Sequence, residues 1–217
     1  LTAIDQLVWQ RRELTLAQVI ARCDADFAGH PREHAQLRAC PKYGNDDPVA
    51  DAMVERVHAH VCRTTAAQAA RVGLASYLVV IINNNTNTAW GRRTAASADG
   101  RRAAGFMANA NNPAGGCDVN GVTAFLNSLL RPDPGLHAGA VQNMKFSREL
   151  FTTRRPELEA LLGAWFAEGG SQAMISVLSR GDLEEALREP ERHANLMVRV
   201  GGFSARFVEL DRGTQEE

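Results

Sequence analysis

Hydrophobic residues in this 217-residue chain change period repeatedly, from the 3- and 4-residue steps of a helix to short runs of strand type and back. Such alternation constrains the fold to α/β, because each strand is carried to the next by a helix that also covers the sheet. Thr15-Leu16-Ala17-Gln18 has the residue types of a capping box, and Leu16, Val19, Ile20, Cys23 and Phe27 follow as one apolar stripe. Asp47-Pro48 announces a second helix, with Asp as N-cap and Pro where its missing N–H costs nothing. Met53, Val54, Val57 and Val61 are its expected buried side. Helices are also expected at 122–130, from Pro156 to the Gly169-Gly170 stop, and at 182–188. Strands are expected at 77–88, 140–146, 172–178, 197–200 and 204–210. No internal repeat or low-complexity linker divides them, which reads as one structural unit.

Lys and Arg number 24 against 25 Asp and Glu, a net charge of -1, so no global field favours nucleic acid or an anionic membrane. The longest apolar run, 74–82, is too short to span a bilayer. No secretory pattern is visible. Cys23, Cys40, Cys62 and Cys117 are widely spaced without C-x-x-C, the pattern of reduced thiols in a cytoplasmic protein. His30 and His34 are separated by Pro31, and His58 and His60 at i,i+2 face different sides of a helix, so no metal is expected. The chain starts inside what reads as a helix and stops one turn into another, as a fragment would.

Asn83-Asn84-Asn85-Thr86-Asn87-Thr88 continues the apolar half of the 77–88 segment. If the strand persists, Asn83, Asn85 and Asn87 share a face and line a polar cavity. If it stops at Ile82, the run is a loop. Residues 91–121 are rich in Gly, Asn and Ala, and a long ordered loop of that kind is usually functional. Its glycines form neither G-x-G-x-x-G nor G-x-x-x-x-G-K-[ST].

In Val198-Arg199-Val200-Gly201-Gly202-Phe203-Ser204, two glycines stand between apolar strands, the composition of a tight hairpin tip. The stretch also resembles the glycyl radical motif of the pyruvate formate-lyase superfamily. Lys42-Tyr43-Gly44-Asn45-Asp46-Asp47-Pro48 resembles that family's Y-G-N-D-D block, and Ala98-Asp99-Gly100-Arg101-Arg102-Ala103 its D-G-R-R-A-G turn. Asn143-Met144-Lys145-Phe146 and residues 203–210 match in the same order.

The resemblance implies the C-terminal part of a β/α barrel with the radical glycine on an inserted loop. Residues 1–75 would be the end of the pyruvate formate-lyase-like domain and 76–217 the glycine radical domain. Gly202 matches the radical-bearing glycine, with Arg199, Gly201 and Phe203 supporting its loop, and the strand before the D-G-R turn bordering the substrate cavity. No cofactor would be bound. A separate activating enzyme with an iron–sulfur cluster and S-adenosylmethionine would install the radical. The radical would then form a thiyl on a cysteine absent from this chain, because Cys23, Cys40 and Cys117 stand outside the family's cysteine-loop context. The resemblance implies a lyase, dehydratase, decarboxylase or acyltransferase, homodimeric at full length. The alternative is an autonomous radical-carrying subunit that docks onto a truncated or damaged partner.

Overall fold

The structure is a computed structural model, and it describes residues 1–82, 86–177, 179–200 and 203–216, with only the backbone of residues 180, 199, 200, 203 and 216. The chain forms two compact units instead of the one expected, and it passes between them several times. No linker composition marks that boundary because the units are interleaved.

One unit comprises residues 1–60, 86–108 and 113–132. Helix α1 (Thr2–Ile4) runs into a π-helical turn at Asp5–Gln10, and α2 (Leu16–Asp24) and α3 (Pro31–Ala39) follow. The capping box is present: Gln18 N–H donates to Thr15 Oγ1 at 3.2 Å, and Thr15 N–H to Gln18 Oε1 at 2.8 Å. The stripe is narrower than expected. Val19 and Phe27 enter the core with Leu7, Leu37 and Cys40, whereas Leu16 and Ile20 are exposed. Pro31 opens α3 at its first turn, so His30 and His34 are not separated by a break. His34 stacks on Phe27 at 4.4 Å and its Nε2 lies 2.8 Å from Gly100 O.

Helix α4 (Pro48–Arg71) is capped by Asp47, whose Oδ1 accepts from Val49 and Ala50 N–H at 2.9 and 3.1 Å. Its expected buried side is corrected: Ala50, Asp51, Cys62 and Ala69 are buried, while Val57 and Val61 are exposed. Small residues, not bulky ones, face inward there. The strand expected over 77–88 is also corrected. It ends at Ile81, and α5 (Asn87–Gly91) begins six residues on; α6 (Gly121–Leu129) is the last helix of this unit, which holds α4 only as far as His60.

The other unit comprises 61–85, 109–112 and 133–217. Strand β1 (Val80–Ile81) pairs in parallel with β2 (Gly139–Ala140). The strand expected over 140–146 breaks at Val141-Gln142, and β3 (Asn143–Phe146) pairs in parallel with β4 (Met174–Val177). The crossover between β3 and β4 carries α7 (Arg148–Thr152) and α8 (Arg155–Ala167), the helix-bearing connection that parallel strands require. Along β3, Met144 and Phe146 are buried and Lys145 is exposed, the two-residue alternation of a strand. Helix α9 (Arg180–Arg188), the antiparallel pair β5 (Met197–Val200) and β6 (Phe203–Arg206), and α10 (Arg212–Glu216) end the chain.

Candidate functional site

Val200 pairs with Phe203, Arg199 with Ser204, Val198 with Ala205 and Met197 with Arg206. The register leaves Gly201 and Gly202 as the residues connecting the two strands. Both lie outside the described residues, as do the side chains of Arg199 and Phe203. The base of the hairpin is fastened by an apolar cluster of Ala186, Val198 and Phe207, against which Leu183, Leu187, Leu196 and Leu210 pack. Phe207 N–H donates to Leu196 O at 2.8 Å, and Gln215 Nε2 donates to Phe207 O at 2.8 Å. Helix α9 supplies three of the cluster's leucine and alanine side chains and is held at its start by a capping box. Asp182 N–H donates to Ser179 Oγ at 3.0 Å, and Ser179 N–H to Asp182 Oδ2 at 3.2 Å.

Of the other motif blocks, the Y-G-N-D-D block and the D-G-R turn build the first unit, while Asn143–Phe146 is β3 of the second. In Gly44-Asn45-Asp46, the Asn45 amide donates to Cys117 O at 2.7 Å and accepts from Val119 N–H at 2.8 Å, tying the block to the 113–120 segment. Gly44 has φ +94°, and a Cβ there would stand 2.7 Å from Pro113. Asp46 N–H donates to Ser128 Oγ at 2.9 Å, and that hydroxyl donates to buried Asp51 at 2.9 Å. In the D-G-R turn, Asp99 accepts from Ser97 Oγ at 2.5 Å and Arg101 N–H at 3.3 Å. Burial works to raise its pKa, but these hydrogen bonds prevail and hold the carboxyl below its ordinary value. The Arg101 guanidinium reaches Gly105 O at 2.9 Å and Ala95 O at 2.5 Å, pinning both arms of the loop. These blocks carry folding information, a role that motif spacing alone did not reveal.

Asn83 and Asn85 lie outside the described residues. Asn87 does not share a strand face with them, because it opens α5; its side chain is buried and donates to Met107 O at 3.3 Å, while its own carbonyl accepts from Met107 N–H at 3.3 Å. Burial pushes the thiols of Cys23, Cys40, Cys62 and Cys117 up, so each stays protonated at neutral pH. Burial likewise pushes Lys42 down, while its ammonium caps the end of α3 by donating to Leu37 O at 2.9 Å and Cys40 O at 2.8 Å. Among the described residues no group of three or more His, Cys, Asp or Glu could hold a metal.

Residues 107–208 match the family model described as glycine radical, and residues 1–91 the one described as pyruvate formate lyase-like. The chain is 27% identical to (2S)-3-sulfopropanediol dehydratase of Klebsiella oxytoca, covering 100% of this chain and 27% of that protein. It is 28% identical to trans-4-hydroxy-L-proline dehydratase of Clostridioides difficile, covering all of this chain and 28% of that protein. Among solved structures, the glycerol-bound B12-independent glycerol dehydratase of Clostridium butyricum superposes with TM-score 0.91 at 27% identity, over 99% of this chain and 28% of that one. A glycyl radical enzyme from Archaeoglobus fulgidus superposes with TM-score 0.90 at 29% identity, over 100% of this chain and 28% of that one. The chain thus spans just over a quarter of the length of the relatives it matches, and its fold is that of the corresponding part of a glycyl radical enzyme barrel. With both family models met in order along most of its length, the chain belongs to the glycyl radical enzymes of the pyruvate formate-lyase superfamily.

Proposed function

We propose that the protein carrying this chain is a glycyl radical lyase or dehydratase in which Gly202 stores the radical. The observation that carries this reading is the Gly201-Gly202 pair between β5 and β6, inside the segment that matches the glycine radical model. A radical at Cα is stabilised by delocalisation into the flanking amide and carbonyl. A side chain on that planar carbon would crowd the flanking peptide groups out of the plane, which favours glycine at that position. An activating enzyme that uses S-adenosylmethionine and an iron–sulfur cluster takes one hydrogen atom from Gly202 Cα. The glycyl radical then takes a hydrogen atom from a cysteine S–H, restoring glycine and leaving a thiyl, and the thiyl takes one from a substrate C–H.

That cysteine belongs to the rest of the parent fold, not to Cys23, Cys40, Cys62 or Cys117. Arg199, Gly201 and Phe203 support the radical loop, and Asn83 and Asn85 are candidates for the cavity wall. The parent enzyme is homodimeric and cytoplasmic in this reading. The match of residues 1–91 to the pyruvate formate lyase-like model supports a portion of such an enzyme over a stand-alone radical carrier, which needs only the radical domain.

Dioxygen adds to a carbon radical and the peptide breaks there, so oxygen provides the test. After anaerobic activation and exposure to air, mass spectrometry should find cleavage at residue 202, and Gly202→Ala should abolish it. An activated wild-type chain that stays intact in air, or an alanine variant cut at the same place, contradicts the reading.

A further inference from the structure

We propose that Gln142, together with Asn109, forms a hydrogen-bond-accepting subsite for a small molecule bearing O–H or N–H groups. Gln142 lies where the expected 140–146 strand breaks, between β2 and β3. Its carbonyl is used, accepting from Met174 N–H at 2.7 Å. Its side chain is only 2% exposed, yet Oε1 is buried with no hydrogen-bond partner. Asn109 Oδ1 is buried and unpartnered as well. Leaving a buried acceptor unpaired is unfavourable because its desolvation is not repaid, and every other side chain from Ala140 to Phe146 except Asn143 and Lys145 is apolar. An apolar residue at 142 would avoid that cost.

The neighbouring amides are satisfied where partners exist. Asn111 N–H reaches Val141 O at 3.4 Å; Asn112 Nδ2 donates to Asn143 O at 2.8 Å and its Oδ1 accepts from Asn143 N–H at 3.1 Å. The 109–112 segment therefore runs along 141–143, within one compact unit, and two acceptors in this cluster are left over. Gln142 stands two residues past the carboxyl end of the parallel pair β1 and β2, where Ile81 pairs with Ala140, and Asn109 begins the segment that runs beside it. In parallel α/β barrels, ligands bind beyond the carboxyl ends of the strands. Two acceptors call for a ligand that donates, such as a hydroxyl or an amine; a carboxylate would set acceptor against acceptor. The subsite is assigned to the substrate of the enzyme proposed above and rests on that reading.

The test titrates the full-length protein that carries this chain, 15N-labelled at its glutamine side chains, with glycerol, a donor-bearing probe, and with acetate, an acceptor-only probe, following the Gln142 side-chain amide by 1H–15N NMR. Its resonances are identified by their loss in Gln142→Met. Glycerol should shift them and acetate should not, and Gln142→Met should weaken glycerol binding about tenfold or more with Tm unchanged or raised. Gln142→Leu serves as a second apolar variant. The proposal is overturned if glycerol leaves the resonances in place, if acetate moves them, or if Gln142→Met binds glycerol like wild type. It is also overturned if both variants lose glycerol binding together with Tm, which would mark a purely structural amide. No radical is needed for this readout, so a chain that never forms one contradicts the earlier reading and leaves this result standing.

Discussion

Asp99 concentrates the chemistry that single residues contribute to this fold. Its lowered pKa means the folded state prefers the ionised carboxyl, held by Ser97 Oγ and Arg101 N–H. Its contribution to stability is therefore present above the unfolded value of about 3.9 and is lost as pH falls through the lower folded value. Asp99→Ala should cost about 1–3 kcal/mol at neutral pH, with the gap to wild type in denaturant melts narrowing as the medium is acidified below about pH 4. A gap of constant size would show that the carboxylate charge is not what the turn uses. Gly91 makes the opposite of a propensity argument. Alanine in a helix is ordinarily favoured over glycine by roughly 0.5–1 kcal/mol, but a Cβ here would stand 2.3 Å from Gly105 O and 2.7 Å from Phe106 Cα. Gly91→Ala should lower Tm, and an unchanged or raised Tm would mean the backbone at 105–106 yields freely. The sequence marks Gly100 and Gly202 as special through their motifs, but a glycine required by close backbone approach leaves no local pattern.

The elements that could be read in advance are those whose signals are local. Thr15 to Gln18 names its capping box by residue type, and Met197 to Arg206 names its hairpin by two glycines between apolar runs. Helix α5 was not legible because Asn87-Thr88-Ala89-Trp90-Gly91 has no helical apolar period and follows a run that alternation could equally place on a strand. Helix α3 was obscured by Pro31, which reads as a breaker inside a helix but as a starter at its first turn. The inward face of α4 was missed because its buried residues are small or polar, Ala50, Asp51 and Cys62, and a hydrophobicity pattern favours the larger valines that turn outward. Helix α9 invites a direct check, since it carries Leu183, Ala186 and Leu187 under the hairpin. Ser179→Ala removes the cap and should cost about 0.5–2 kcal/mol by calorimetry while leaving the radical yield per folded molecule unchanged. A loss of radical larger than the loss of folded protein would place the helix start in the radical machinery itself.

On the scale of the whole molecule, the chain leaves much apolar surface in water. Val72, Leu74, Tyr77, Leu78, Val80 and Ile82 are each about half exposed or more, within eleven residues of the second unit, and β1 pairs with β2 alone among the described strands. A strand edge beside exposed apolar side chains is a site of aggregation. The isolated chain should bind a hydrophobic dye and sediment as aggregates, and Leu78→Lys with Val80→Lys should reduce both; a monodisperse wild-type chain without dye binding would contradict this. The interleaving of the two units was not legible at all, since each is assembled from segments far apart in sequence and neither has its own linker. Family membership was legible because its motif blocks keep their order over the whole chain, although the Y-G-N-D-D block and the D-G-R turn hold the fold and the proposed chemistry is assigned to the Gly201-Gly202 block alone. The central claim, that Gly202 holds an unpaired electron, is tested most directly by electron paramagnetic resonance after anaerobic activation. The account predicts a doublet from the remaining α-hydrogen that collapses to a single line when the protein is grown on α-deuterated glycine and disappears in Gly202→Ala. A signal that survives the alanine substitution, or a doublet indifferent to deuteration, would contradict it.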